Sequence, residues 1–142
     1  MLKGKLLHPG ILRVLGESGH GSRVLIADGN YPFNTGSPPS AERVFLNLMP
    51  GMPKVTDVLE ALVTAIPIEA ATVMVPPDGA AQPIHAEFRK LLPSGIELTE
   101  KKRYEFYEEV KSPNTALVIA TGEQRRFANL VLTIGVVKED GR

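Results

Sequence analysis

The sequence predicts an α/β protein, a three-layer α/β/α sandwich built on a mainly parallel sheet. Three observations carry this prediction. The segments VLIA (24–27), ALVIA (116–120) and NLVLTIGVV (129–137) are continuous apolar runs, which suits strands buried on both faces better than strands with one wet face. Such runs alternate with segments of helical periodicity, the pattern of a sheet covered by helices through right-handed crossovers. Finally, 142 residues with 43% hydrophobic and 23% charged side chains match one soluble globular domain, here residues 1–142.

The elements follow in order. Pro9 to Gly19 reads as a helix: Ile11, Leu12, Val14 and Leu15 form an apolar stripe, Pro9 suits a first turn and Gly19 a stop. Arg23 to Ala27 is strand-like and ends at the turn signal Asp28-Gly29-Asn30. Residues 29–42 carry Gly29, Asn30, Asn34, Gly36 and the prolines Pro32, Pro38 and Pro39. That makes a loop of a length uncommon in a compact domain unless it is functional. Arg43 to Leu48 is a strand candidate closed by Pro50-Gly51-Met52-Pro53. Val55 to Ile66 is the clearest helix, with Val55, Val58, Leu59, Leu62, Val63 and Ile66 at i, i+3, i+4 spacing. Next come a strand over Ala71–Val75, a helix over Pro83–Leu92, a short strand over Gly95–Leu98 and a charged helix over Arg103–Val110. Ala116–Ala120 and Leu130–Val137 complete the set as strands.

Composition excludes much. The 16 basic and 16 acidic residues cancel, so the basic stripe expected of a nucleic-acid binder is missing. With no cysteine there is no disulfide scaffold, thiolate metal site or cysteine nucleophile. No apolar run is long enough to span a membrane, and MLKGKLLHPG lacks the apolar core of a signal peptide. A cytoplasmic protein is expected. Zero net charge also permits self-association. GESGHG is not G-x-G-x-x-G and precedes a strand instead of following one; P-loop, H-E-x-x-H and G-x-S-x-G patterns are absent too.

Ligands of open α/β sheets bind beyond the carboxyl ends of strands, which draws attention to three polar clusters. In the first, His20 stands between Gly19 and Gly21, with Asp28 at the end of the following strand; the second is Arg103; the third runs from Thr121 to Asn129. Each has a plain structural reading beside the functional one. His20 suits a turn at a helix end, Asp28 an Asx-turn, Arg103 a solvated face, Phe127 the core and Asn129 a turn. His8, beside a proline, and His85, inside an amphipathic helix, read as surface residues.

The stretches GHGSRVLIADGNYP (19–32), PGMPKVTDVLEAL (50–62), RYEFYE (103–108) and ATGEQRRFANLVLTIGVV (120–137), led by MLKGKLLHPGILRVLGESGHG, resemble the ribose pyranase / fucose mutarotase (RbsD/FucU) family. They occur in the family's order over nearly the whole chain. The resemblance implies an isomerase without a cofactor that interconverts the cyclic forms of a monosaccharide such as fucose. It also implies a cytoplasmic homo-oligomer, commonly a decameric ring, with sites at subunit boundaries. By motif, His20 takes the catalytic position and Asp28 the sugar-binding aspartate. Arg103 takes the fucose-type arginine, where ribose-type members tend to have histidine, and Phe127, Ala128 and Asn129 the Tyr-x-Asn binding motif. An imidazole with an ordinary pKa of about 6.5 can take and return the protons of ring opening near neutral pH. Two departures stand out: Phe127 lacks the phenolic hydroxyl of the family's tyrosine, and Ser22-Arg23 replaces an acidic pair after the Gly-His-Gly. The readings set against a fucose-type mutarotase are a ribose pyranase activity and a non-catalytic sugar-binding or transport-accessory role.

Overall fold

The computed structural model describes residues 1–141. Ten elements follow one another: α1 (Pro9–Glu17), β1 (Arg23–Ala27), β2 (Glu42–Phe45), α2 (Val55–Leu62), β3 (Ile68–Met74), α3 (Pro83–Leu91), β4 (Leu98–Lys101), α4 (Arg103–Val110), β5 (Thr115–Ala120) and β6 (Leu130–Ile134). The strands form one sheet in the order β2-β5-β1-β6-β3-β4. β1 and β2 pair parallel to β5, and β3 parallel to β4, while β6 lies antiparallel between β1 and β3. Five strands thus run one way and β6 runs against them, a mainly parallel mixed sheet.

Two cores sandwich this sheet, as its doubly apolar strands require. On one face Ile11 and Val14 of α1, Val55, Val58, Leu59 and Leu62 of α2, and Ile84 and Phe88 of α3 pack over Val24, Ile26, Leu117, Ile119, Leu130 and Leu132. On the other, Phe106 and Val110 of α4 join Tyr31 and Ala41 of the long loop over Leu25, Ala27, Val118 and Val131. The side chains of β1 alternate strictly between these cores. At roughly 1.5–3 kcal/mol for each fully buried large aliphatic or aromatic side chain, both layers are needed to hold so short a set of helices.

Some element ends differ from the periodicity. The strand expected over Arg43–Leu48 ends at Phe45, because Leu48 and Met49 turn to donate to the Met52 carbonyl. The strand expected over Gly95–Leu98 starts at Leu98: Gly95, at φ +88°, occupies the turn before it. β6 stops at Ile134 instead of Val137, since Gly135 N–H bonds the Pro67 carbonyl and Val136 and Val137 point to solvent. α1 stops at Glu17, short of Gly19, and α2 stops at Leu62, short of Ile66. His85 corrects a sequence expectation more sharply. It is buried, not a surface residue, on the same side of α3 as Ile84 and Phe88. Among the described residues, no helix is long and apolar enough to cross a membrane.

Candidate active site

The carboxyl ends of β1, β4 and β5 share one edge of the sheet, and the antiparallel β6 begins there. Register makes this a site. Pairing of Ile26 with Leu130 sets Asp28, just past β1, against Asn129, just before β6. The two residues hold each other: Asp28 N–H donates to Asn129 Oδ1 at 2.7 Å, and Asn129 Nδ2 donates to Asp28 Oδ2 at 3.2 Å. Asn30 N–H reaches Asp28 Oδ1 at 3.0 Å, which is the Asx-turn foreseen for this aspartate. The turn and the clamp coexist. Asp28 and Asn129 are both buried, each 4% exposed. Burial pushes the Asp28 carboxyl above its ordinary range; hydrogen bonds from the Asn30, Ala128 and Tyr31 backbone pull it back, and nearby Glu123 adds to the rise.

Around this pair opens a cleft of about 440 Å³ lined by Asp28, Asn30, Tyr31, Met74, Arg103, Tyr107, Arg126, Phe127 and Asn129. Arg103 starts α4 and is exposed; its guanidinium lies 5.5 Å from the ring centroid of Tyr107, one helical turn on, and 5.6 Å from that of Tyr104. Tyr31 is buried and donates its hydroxyl to the Gly36 carbonyl at 2.7 Å. Desolvation in that position raises its pKa strongly. Ala128 is fully buried behind the cleft.

Phe127 is the one non-glycine residue with positive φ among the described residues, at +57°. A left-handed conformation is costly for a side chain of this size, so something must hold it. His85, which sequence reading set aside, does so: its Nε2 lies 2.9 Å from the Phe127 carbonyl oxygen and donates to it. Burial lowers the His85 pKa, opposed by the bond to Phe127, while nearby Arg89 lowers it further. The ring is therefore a neutral donor. One signal for it was in the sequence: a histidine on the apolar stripe of α3, beside Ile84 and Phe88.

Asp28, Arg103, Phe127, Ala128 and Asn129 thus converge. His20 does not join them. It sits on the turn before β1, at the other end of the sheet, where Gly21 N–H bonds the Ile134 carbonyl and Ile134 N–H bonds the Ser22 carbonyl. At roughly 3.3 Å per residue of strand, β1 separates His20 from Asp28 by on the order of 20 Å. There the imidazole, half-exposed, has Nε2 2.9 Å from Glu69 Oε2. Within one chain the geometry is two half-sites: a buried polar clamp with an aromatic and cationic rim, and an accessible histidine with a carboxylate behind it.

Known proteins share this arrangement of chain. Residues 1–137 match the model of the RbsD / FucU transport protein family. The D-ribose pyranase of Paracidovorax citrulli is 32% identical over 139 residues, covering 96% of this chain and 98% of the relative. The human fucose mutarotase is 30% identical over 151 residues, covering 96% and 94%. The structure of Bacillus subtilis RbsD complexed with D-ribose superposes with a TM-score of 0.83 at 25% identity, over 97% of this chain and all of that one. With the family model matching residues 1–137 and relatives at 30–32% identity covered almost from end to end, the chain belongs to the RbsD / FucU transport protein family.

Proposed function

We propose that this protein is a cofactor-independent monosaccharide mutarotase, an isomerase that interconverts the cyclic forms of a sugar by general acid/base ring opening. The observation that carries the reading is the cleft around the Asp28–Asn129 clamp. It offers a carboxylate to accept from sugar hydroxyls, the Arg103 guanidinium to donate to them, and the Phe127 and Tyr107 faces to lie against the ring. A relative that turns over D-ribose by name and one that turns over fucose by name make both sugars candidates. Arg103, the fucose-type residue by motif, favours L-fucose. Buried sugar-binding groups discriminate strongly, because an analogue lacking a hydroxyl leaves them unpaired.

The chemistry needs few parts. A base removes the proton of the anomeric hydroxyl as the bond between the anomeric carbon and the ring oxygen breaks, its electron pair moving to the ring oxygen, which takes a proton. The open-chain aldehyde then recloses on its other face. An imidazole that takes one proton and returns one balances the cycle without a co-reactant, and such catalysis contributes typically ~10²–10⁴-fold. His20 is that group in this reading, and it reaches the sugar from a neighbouring subunit. Exposed apolar side chains flank both half-sites and support the association: Val136 and Val137 beyond β6 at the His20 end, and Phe45, Leu48, Met49 and Met52 at the other. The assembly is a cytoplasmic homo-oligomer, a decameric ring on the family pattern.

Saturation-transfer NMR on L-fucose and D-ribose tests the reading. Wild type accelerates anomer or ring-form exchange and His20→Ala does not; equal rates for the two proteins would remove His20 from the mechanism. Phe127, without the hydroxyl of the family's tyrosine, favours one second reading, a sugar-binding protein without turnover. Calorimetric binding with no accelerated exchange would establish that instead.

A further inference from the structure

The carboxylate behind His20 reaches it by an unusual route. Glu69 lies near the start of β3, and β6 stands between β3 and β1. An ordinary ladder residue there would pack on its own strand. Pairing of β3 with β6 instead shifts register between Ile68 and Ala70, so Glu69 is the extra residue of a bulge. Bulges beside functional sites re-aim a side chain. The re-aimed side chain crosses Gly135, where an added Cβ would stand 3.2 Å from Glu69 Cβ and 3.6 Å from Oε2. The bulge and the bare backbone together let Oε2 come within 2.9 Å of His20 Nε2. Both side chains are half-exposed, so the pair adds little to stability.

We propose that Glu69 is a positioning residue for the reaction: it holds the proton on His20 Nε2, fixes the ring and presents Nδ1 to the sugar. This deepens the mutarotase reading and rests on it. A carboxylate that accepts from one ring nitrogen dictates which nitrogen is left to work, the role of the aspartate in a hydrolase triad.

The tests are ¹⁵N NMR of the His20 ring in full-length protein and saturation-transfer NMR with L-fucose, applied to wild type, Glu69→Ala, Glu69→Gln and His20→Ala. Wild type is expected to show His20 as the Nε2–H tautomer. Glu69→Ala releases it to a mixture and slows exchange by roughly 10- to 100-fold, taking as the scale the loss seen when a hydrogen-bond partner that orients a metal-bound histidine is removed. Glu69→Gln, whose amide oxygen still accepts, keeps the tautomer and recovers part of the rate at an unchanged thermal midpoint. An unaltered tautomer and an unaltered rate in Glu69→Ala, with His20→Ala inactive, overturn the proposal and leave the mutarotase reading standing. A wild-type rate in His20→Ala removes His20 from the mechanism and overturns the Glu69 proposal with it. Should wild type not accelerate exchange, the mutarotase reading falls, and a positioning role for Glu69 in its reaction falls with it whatever the tautomer.

Discussion

If each site takes His20 from one chain and the Asp28 clamp from another, two dead variants must rescue each other. His20→Ala removes the base and leaves the cleft whole; Asp28→Ala empties the cleft and leaves the base, on the order of 20 Å away along β1. Each alone has no complete site. After unfolding and refolding together in equal amounts, a given site draws an intact histidine half the time and an intact clamp half the time. About one quarter of the sites are then whole whatever the size of a closed assembly, since each boundary is formed by the same pair of patches. The expected exchange rate is therefore about a quarter of wild type per chain, read by saturation transfer on L-fucose. Mixing without refolding controls for subunit exchange. A refolded mixture as inactive as its components would refute the shared site. Both substitutions would then act within one chain, contrary to the separation of the half-sites.

Two further outcomes follow from the clamp and its support. Asn129→Ala orphans the buried Asp28 N–H and removes a donor from the Asp28 carboxylate. The carboxylate keeps its backbone donors, so a loss of roughly 1–3 kcal/mol is expected, the cost of one unsatisfied buried group, seen as a lower thermal midpoint together with lost calorimetric sugar binding; an unchanged midpoint would show the clamp to be idle. His85→Gln retains an N–H donor for the Phe127 carbonyl but cannot titrate. The His85 pKa is lowered in the fold from 6.5, so below about 6.5 the unfolded chain takes a proton that the folded one refuses, and stability falls with falling pH. Wild type should lose thermal stability more steeply than His85→Gln as pH drops through and below 6.5; parallel slopes would deny the histidine that role.

Much of this was legible in the residues, for physical reasons. A strand such as VLIA, apolar at every position, has to be covered twice, so the layered fold is written in β1 alone. The helices show because Val55, Val58, Leu59 and Leu62 keep one face. Element ends were less legible, since tertiary hydrogen bonds set them: Gly135 leaves the ladder for the Pro67 carbonyl, and no periodicity encodes that. The site divides in the same way. Asp28 and Asn129 stand in conspicuous turns, and motif resemblance placed them. His85 and Glu69 act at sequence separations of 42 and 49 residues, through one buried donor and one bulge. A histidine on an apolar stripe reads as any other stripe position, and a glutamate in a strand reads as any edge charge. Only the packing of α3 for His85, and the strand register for Glu69, bring each to its neighbour.

The proposed sharing of one site between two subunits would also have a chemical reason. A ligand site usually encloses most of a small molecule's surface, whereas the cleft over Asp28 is open to water in a single chain. In the proposed shared site, a subunit docking there would bring its own His20 turn and close the cleft in one event. Water would then leave as the base arrives, strengthening the proposed hydrogen bonds of Asp28 and Arg103 to the sugar when the proton moves. A histidine on the same chain's clamp would be present before closure, bonded to water or to Asp28 itself, and its orientation would have to be regained in each cycle. With Glu69 behind it, the histidine would arrive already oriented, and the buried clamp would meet it already paired. Because the sheet joins the two halves within each chain, association would then set the geometry of the reaction at the boundary, with no hinge required to do so.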